Sequence, residues 1–278
     1  MKSFIKQDIQ AHTNFSDGNN SIVEMIDAAV RNKLKSIVIS DHAKGWTSRD
    51  KIKLEFFPTY AKYMSYIQQI KNVRDNYSDK IKVFSGLEIE VDIKGNFKLD
   101  EGILEYAQKY NNKDKFGIDI LLGSIHSESF EEDCKKYKIK KQDRRKVLIE
   151  NMINLIKNKK IDVFAHPFQA LHGQFSNNLT EKETELIIDT FKKEWQSGHN
   201  IFLELNGKKY PEYEQWTYNK YEKGELETHD VNFLHLYKKL GGKFVLGSDA
   251  HSIRGLTDID FSILNKLFLK KSEIFIFT

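Results

Sequence analysis

"DIQAHTNFSDG", Asp8 to Gly18, reads as a β-strand that runs to His12 and breaks at Ser16-Asp17-Gly18. Such a strand displays His12 and Asp17 on one rim. A second His two residues before His12 would complete a chelating pair, but the chain has Gln10 there. The stretch is therefore a metal site with one altered ligand, or no metal site at all, and the rest of the chain has to decide.

Further short apolar, β-branched runs follow: Ser36 to Ser40, Val83 to Leu87, Ile118 to Gly123, Ile161 to Ala165, Ile201 to Leu205 and Lys243 to Gly247. With Ile5 to Ala11 they make about seven strands. Between them helical periodicity predicts helices near Ser21 to Asn32, Pro58 to Asn76, Glu101 to Tyr110, Lys141 to Lys159, Thr180 to Ser197, Asp230 to Leu240 and Phe261 to Phe268. Ser21 is followed by Glu24 and Thr180 by Glu183, both at capping-box spacing. Strands alternating with helices are the signature of parallel βα units. No repeat, Pro-rich linker or low-complexity block interrupts them, so a single α/β barrel domain over residues 1–278 is expected. Gly207 to Thr228, rich in aromatic and charged residues and without a clean period, is expected to be a long loop over one end of the barrel. The apolar tail "SEIFIFT" reads as a final packed strand or extended arm.

Composition narrows the function classes. A net charge of +4 from 44 basic and 40 acidic side chains, with lysines scattered among acids, does not by itself argue for nucleic-acid binding. Cys134 is the sole cysteine, so no intramolecular disulfide can form, and the N-terminus lacks the apolar run of a signal peptide. A reducing, cytoplasmic setting is expected. No stretch approaches the roughly 18 to 20 consecutive apolar residues of a membrane span.

Six of the seven strands end in chemistry. Strand one ends at His12 with Asp17 in its loop, strand two at Asp41-His42, and strand three at Glu88 with Glu90 two residues on. Strand four ends at His126, strand five at His166, and strand seven at Asp249 and His251. In a parallel barrel these C-terminal ends share one face, where active sites are built. Any one such His is ordinarily a hydrogen-bonded structural residue, but five together with three carboxylates on one rim are costly unless paired or metal-bound. Imidazole and carboxylate suit Zn, Mn or Fe, and Glu88 could bridge two ions. Glu90 is a weaker alternate ligand, Asp41 is expected behind His42 or as a cap, and Glu204 and Asn206 on strand six read as polar rim. His172, His199, His229 and His235 read as structural or exposed.

Gln10, His12, Asp17, Asp41-His42, Glu88, His126, His166 and the "SDAH" of Asp249-His251 together resemble, in order and spacing, the polymerase and histidinol phosphatase (PHP) family over nearly the whole chain. The resemblance implies a distorted (β/α)7 TIM-like barrel and a centre of two or three divalent transition-metal ions that hydrolyses phosphoesters. It assigns one ion to Gln10, His12, Glu88 and Asp249, a second to Glu88, His126 and His166, and a third to Asp17, His42 and His251. Gln10 stands where that family usually has its first His, so the first ion is expected to bind more weakly, or Gln10 to hydrogen-bond a coordinated water.

The leading expectation is a phosphomonoesterase for a small soluble phosphate ester, resembling the histidinol-phosphatase branch, in which a metal-bridged hydroxide attacks phosphorus. Asp17 or His251 would supply the leaving-group proton and Arg254 would hold the phosphate. Lys44, Arg49 and Lys208 also fall in predicted rim loops. A nuclease, with Tyr210, Tyr213, Trp216, Tyr218 and Tyr221 stacking on bases, is the alternative, and a catalytically impaired metal-binding subunit is the third reading. Self-association is left open by the sequence.

Overall fold

The computed structural model describes residues 7–46, 53–110, 115–175, 179–207, 228–257 and 267–277. The predicted strands form: β1 (Gln7–Ala11) and β2 (Ser36–Ile39) are followed by a short antiparallel pair, β3 (Gly45–Trp46) and β4 (Lys53–Leu54), and then by β5 (Lys82–Glu90), β6 (Ile120–Ser124), β7 (Val163–Phe164), β8 (Phe202–Asn206) and β9 (Phe244–Gly247). Seven of them make one parallel sheet in the order β1-β2-β5-β6-β7-β8-β9. Its edges meet where Ala11 bridges Ala250 and the His12 amide donates to the Ala250 carbonyl at 2.8 Å, which closes a distorted seven-stranded barrel.

Helices α1 (Ile22–Arg31), α2 (Tyr60–Asn76), α3 (Glu101–Lys109), α4 (Ser127–Lys136), α5 (Arg144–Lys157), α6 (Gln169–Gln174), α7 (Glu181–Gln196), α8 (Thr228–Lys239) and α9 (Ile253–Thr257) surround it. Both capping boxes are present: Ser21 and Thr180 each accept from the amide three residues on, and Glu24 and Glu183 reach back to the cap amides. Each box satisfies two helix-terminal donors that would otherwise go unpaired. The sequence reading missed α4, α6, α9 and the β3–β4 pair. The last two helices are too short to carry a period, and α4 is strongly polar, anchored by Phe130 and Cys134. The helix expected at Phe261 to Phe268 and the loop Gly207 to Thr228 fall largely outside the described residues.

Period-two alternation decides what each strand delivers inward. Ile9, Val38, Ile120, Leu122, Val163, Ala165 and Val245 fill the barrel interior with Phe84, Phe202 and Phe277. Their sequence neighbours face the helices: Ile37, Leu87 and Leu121 pack with α1, α2 and α3, while Phe164, Leu203 and Leu246 pack with α5, α7 and α8. The tail is an extended arm. Ile274 bridges Phe244, and the Phe277 amide donates to Gln7 Oε1 at 2.7 Å, so the arm plugs the N-terminal mouth of the barrel.

Strand β1 breaks its own alternation. Its register with β2 shifts between Asp8 and Ala11, as at a β-bulge, so Ile9 joins the interior while Gln10 and His12, rather than Ala11, face inward above it. Asp8 Oδ1 caps the irregularity by accepting from the Gln10 amide at 3.1 Å and the Ser248 amide at 2.9 Å. On the far side of β2 and β5, the buried Tyr66 hydroxyl lies 2.9 Å from the Ile39 carbonyl and 2.7 Å from that of Gly86. Tyr66→Phe leaves those acceptors short of a donor, and urea unfolding should show a loss of about 1 to 3 kcal/mol. An unchanged midpoint would mean that the hydroxyl contributes nothing to joining these strands.

Candidate metal centre

Above the apolar layer the inward positions turn polar. Glu88 continues the inward row of Phe84 and Gly86 on β5; His42, His126, His166 and Asp249 follow the ends of β2, β6, β7 and β9. The barrel brings them together around Glu88, which is almost fully buried. Its Oε2 lies 3.4 Å from His12 Nε2 and 3.5 Å from His42 Nδ1, and its Oε1 lies 3.2 Å from His126 Nε2 and 3.0 Å from His166 Nε2. Asp249 Oδ1 is 3.2 Å from His12 Nε2. Asp17, the most exposed member, stands 3.7 Å from His42 Nε2 and 3.4 Å from His251 Nε2.

Three groups of donor atoms are close enough to share an ion: His12, Glu88 and Asp249; His42, Glu88 and His126; and His12, Asp17, His42 and His251. The first matches the first expected ligand set apart from Gln10. The second has His42 in the place expected for His166, although His166 also touches Glu88, and the third adds His12 to the expected trio. Both ring nitrogens of His12 and Nδ1 of His166 are buried without a hydrogen-bond partner among the described residues. Of these, His12 Nε2 faces the Glu88 and Asp249 carboxylates, and an unsatisfied buried nitrogen so placed fits a cation better than a closed hydrogen-bond network.

Gln10 takes an orientation that the sequence reading did not foresee. Its Nε2 donates to Glu88 Oε2 at 2.7 Å, and its Oε1 is buried without a hydrogen-bond partner among the described residues, so Oε1 is the atom it could offer an ion.

The surrounding residues hold these side chains. Glu90 lies behind His126, with Oε1 2.7 Å from Nδ1, and so fixes which ring nitrogen turns toward Glu88. Asp41 does not brace His42. It accepts from the Thr13 amide at 2.7 Å, the Thr13 hydroxyl at 2.7 Å and Ser16, and so folds the loop that presents Asp17. In that loop Gly18 is tight, since a Cβ there would lie 2.6 Å from the His12 carbonyl. His251 Nδ1 lies 2.9 Å from the Asp249 carbonyl oxygen. Glu204, read from sequence as polar rim, is instead buried beneath the centre. The period-two rule places Glu204 inward on β8, which was the available signal.

Of the other candidates, Arg254 stands exposed on α9. Lys44 pairs with Asp100, Nζ to Oδ1 3.6 Å, which leaves it a supporting role. His199 bonds the Ile161 carbonyl and faces Glu194, as expected of a structural residue. His172 lies on α6 beside Phe168 and belongs to none of the three groups. Arg49, Lys208 and the aromatic residues of the long loop lie outside the described residues.

Electrostatics divides the imidazoles. Burial pushes His42 down to about 4, with Glu88 and Asp17 only partly opposing it, so at neutral pH its ring is neutral and ready to coordinate. Burial also pushes His126 down, but the Glu90 and Glu88 carboxylates outweigh it and raise its pKa to about 9. His12 is likewise held well above its usual value, against burial, by Asp249 and Glu88. Against burial, His42 and His166 hold Glu88 well below the usual carboxylate range. Without metal, His126 therefore carries a second ring proton at pH 7 that an incoming ion must displace. Metal uptake should release protons, detectable as a buffer-dependent heat in titration calorimetry, and should weaken as pH falls from 8 to 6. Heats that do not depend on the buffer would contradict this.

Comparison with known proteins agrees with this architecture. The chain is 24% identical over 258 residues to the DNA polymerase/3'-5' exonuclease PolX of Bacillus subtilis, covering 92% of this chain but only 36% of that protein. It is 22% identical over 260 residues to the histidinol-phosphatase of Lactococcus lactis, covering 88% of this chain and 84% of the relative. The crystal structure of Lactococcus lactis histidinol phosphate phosphatase, complexed with zinc, L-histidinol and phosphate, superposes with a TM-score of 0.60 at 17% identity over 97% of this chain and 94% of that one. A candidate histidinol phosphatase from Listeria monocytogenes gives a TM-score of 0.61 at 17% identity over 90% of this chain and 97% of that one. The model of the PHP domain matches residues 8–208, most of the chain and all but the last of the strand ends described above, and the chain belongs to the PHP domain family.

Proposed function

We propose that this protein is a metal-dependent phosphoric ester hydrolase acting on a small soluble phosphomonoester, with histidinol phosphate as the first substrate to test. The observation that carries the reading is Glu88, one buried carboxylate with four imidazole nitrogens from four strand ends within 3.5 Å of its two oxygens. A centre of two or three ions, Zn, Mn or Fe, would be held by His12, Asp17, His42, Glu88, His126, His166, Asp249 and His251, with Gln10 Oε1 as a weak further donor. Bound ions would lower the pKa of a coordinated water and neutralise phosphate oxygens. The protein's own part is positioning. Glu88 holds four rings in register, Glu90 sets the His126 ring, and Asp17 and His251 stand at the open side, where a leaving alkoxide could take a proton. Arg254 is the cation proposed to meet the phosphate, at the rim of the same face.

Among the described residues no helix is long and apolar enough to cross a membrane. The histidinol-phosphatase relative, matched over most of its length, supports the phosphomonoesterase. The exonuclease relative supports a second reading, phosphodiester hydrolysis on nucleic acid. Metal analysis of the purified protein, followed by phosphate release from histidinol phosphate and from an aryl phosphate, tests the first reading against nucleotide release from a single-stranded oligonucleotide. The expected result is two or three bound ions and metal-dependent monoester turnover. Oligonucleotide cleavage without monoester turnover would overturn it in favour of the nuclease.

A further inference from the structure

We infer that Glu204 is a positioning residue of the candidate metal centre, fixing the backbone turn that swings the His166 ring onto Glu88. The inference rests on the metal-dependent reading above. Strand β7 has only two residues, and the chain leaves the ladder just after them, with His166 in the left-handed region at φ 26°. On one side the turn is held by the neighbouring strand's backbone, the Ala165 amide donating to the Gly123 carbonyl at 2.9 Å. On the other side it is held by a side chain, the His166 amide donating to Glu204 Oε2 at 2.7 Å. From that turn His166 Nε2 comes within 3.0 Å of Glu88 Oε1.

Glu204 itself is 2% exposed and belongs to none of the three groups that could share an ion. Its Oε1 has no hydrogen-bond partner among the described residues. The space that Oε1 occupies exists because position 247 is glycine: a Cβ there would overlap Glu204 Oε1 and lie 3.1 Å from Gln10 Cβ. A buried carboxyl with one oxygen on the backbone of a proposed ligand, in a space cleared by a glycine, is arranged to hold that ligand. Such a group, one step removed from the ion, ordinarily changes metal affinity by about 10- to 100-fold when lost.

Three variants test this in the full-length protein. Glu204→Ala removes the acceptor, Glu204→Gln keeps an oxygen that can accept from the His166 amide, and Gly247→Ala displaces the carboxyl without removing it. Each is titrated with Zn against a chromogenic chelator, and each is loaded with Co, whose visible absorption reports ligand geometry. Glu204→Ala and Gly247→Ala are expected to bind at least one ion about 10- to 100-fold more weakly, with an altered Co spectrum, while Glu204→Gln retains affinity and spectrum close to wild type. Should Glu204→Ala fail to fold, Gly247→Ala and Glu204→Gln carry the comparison. Wild-type affinities in both disruptive variants overturn the inference, as does a Glu204→Gln variant as impaired as Glu204→Ala. A wild-type protein that takes up no ion overturns the metal-dependent reading itself, and this inference with it.

Discussion

Glu88→Ala is expected to empty most of the centre and to lower monoester turnover by about three orders of magnitude, the scale of losing the several kcal/mol of charge stabilisation that ions supply at a phosphoryl group. The reason is connectivity. Glu88 enters two of the three groups able to share an ion, and its two oxygens divide four imidazoles between them. Removing one partner of a buried charged cluster also destabilises the fold, typically by 3 to 5 kcal/mol, so lost activity alone would be ambiguous. Glu88→Gln preserves the volume and serves as the folded control. Elemental analysis of both variants, beside thermal unfolding, separates the effects. A folded variant that keeps its full complement of ions and its turnover would refute the central role given to Glu88.

Gln10→His is the second large effect, and it acts in the opposite direction. The carboxamide at position 10 is neutral, donates its N–H to Glu88 and has only Oε1 to offer an ion. An imidazole is the better donor for Zn, Mn or Fe. It would also release Glu88 Oε2 from the 2.7 Å hydrogen bond that now competes with a cation for that oxygen. Competitive chelator titration is expected to show one class of site strengthened by about tenfold or more, the class formed with His12, Glu88 and Asp249, with the others unchanged. An identical binding curve would mean that no ion sits beside position 10. Gln10 would then serve as a clamp on Glu88 only.

The division between sequence and structure runs along the strands. Seven apolar runs, the capping boxes at Ser21 and Thr180, and acids and imidazoles at strand C-termini were readable from local chemistry, because a parallel βα barrel brings those ends to one face whatever the loops do. Local pattern even indicates sidedness, since Glu88 and Glu90, two residues apart on one strand, fall on the same face. Only the closed barrel decided that Glu88 reaches four rings while Glu90 stands behind His126, that Asp41 folds the Asp17 loop, and that Glu204 is buried under His166. The bulge in β1, which turns Gln10 toward Glu88, likewise has no mark in the sequence. Periodicity along one chain specifies a face. Which atoms meet across the barrel depends on strand twist, stagger and closure among segments about eighty residues apart, as with Gln10 and Glu88 or Glu88 and His166, and those are properties of the packed whole.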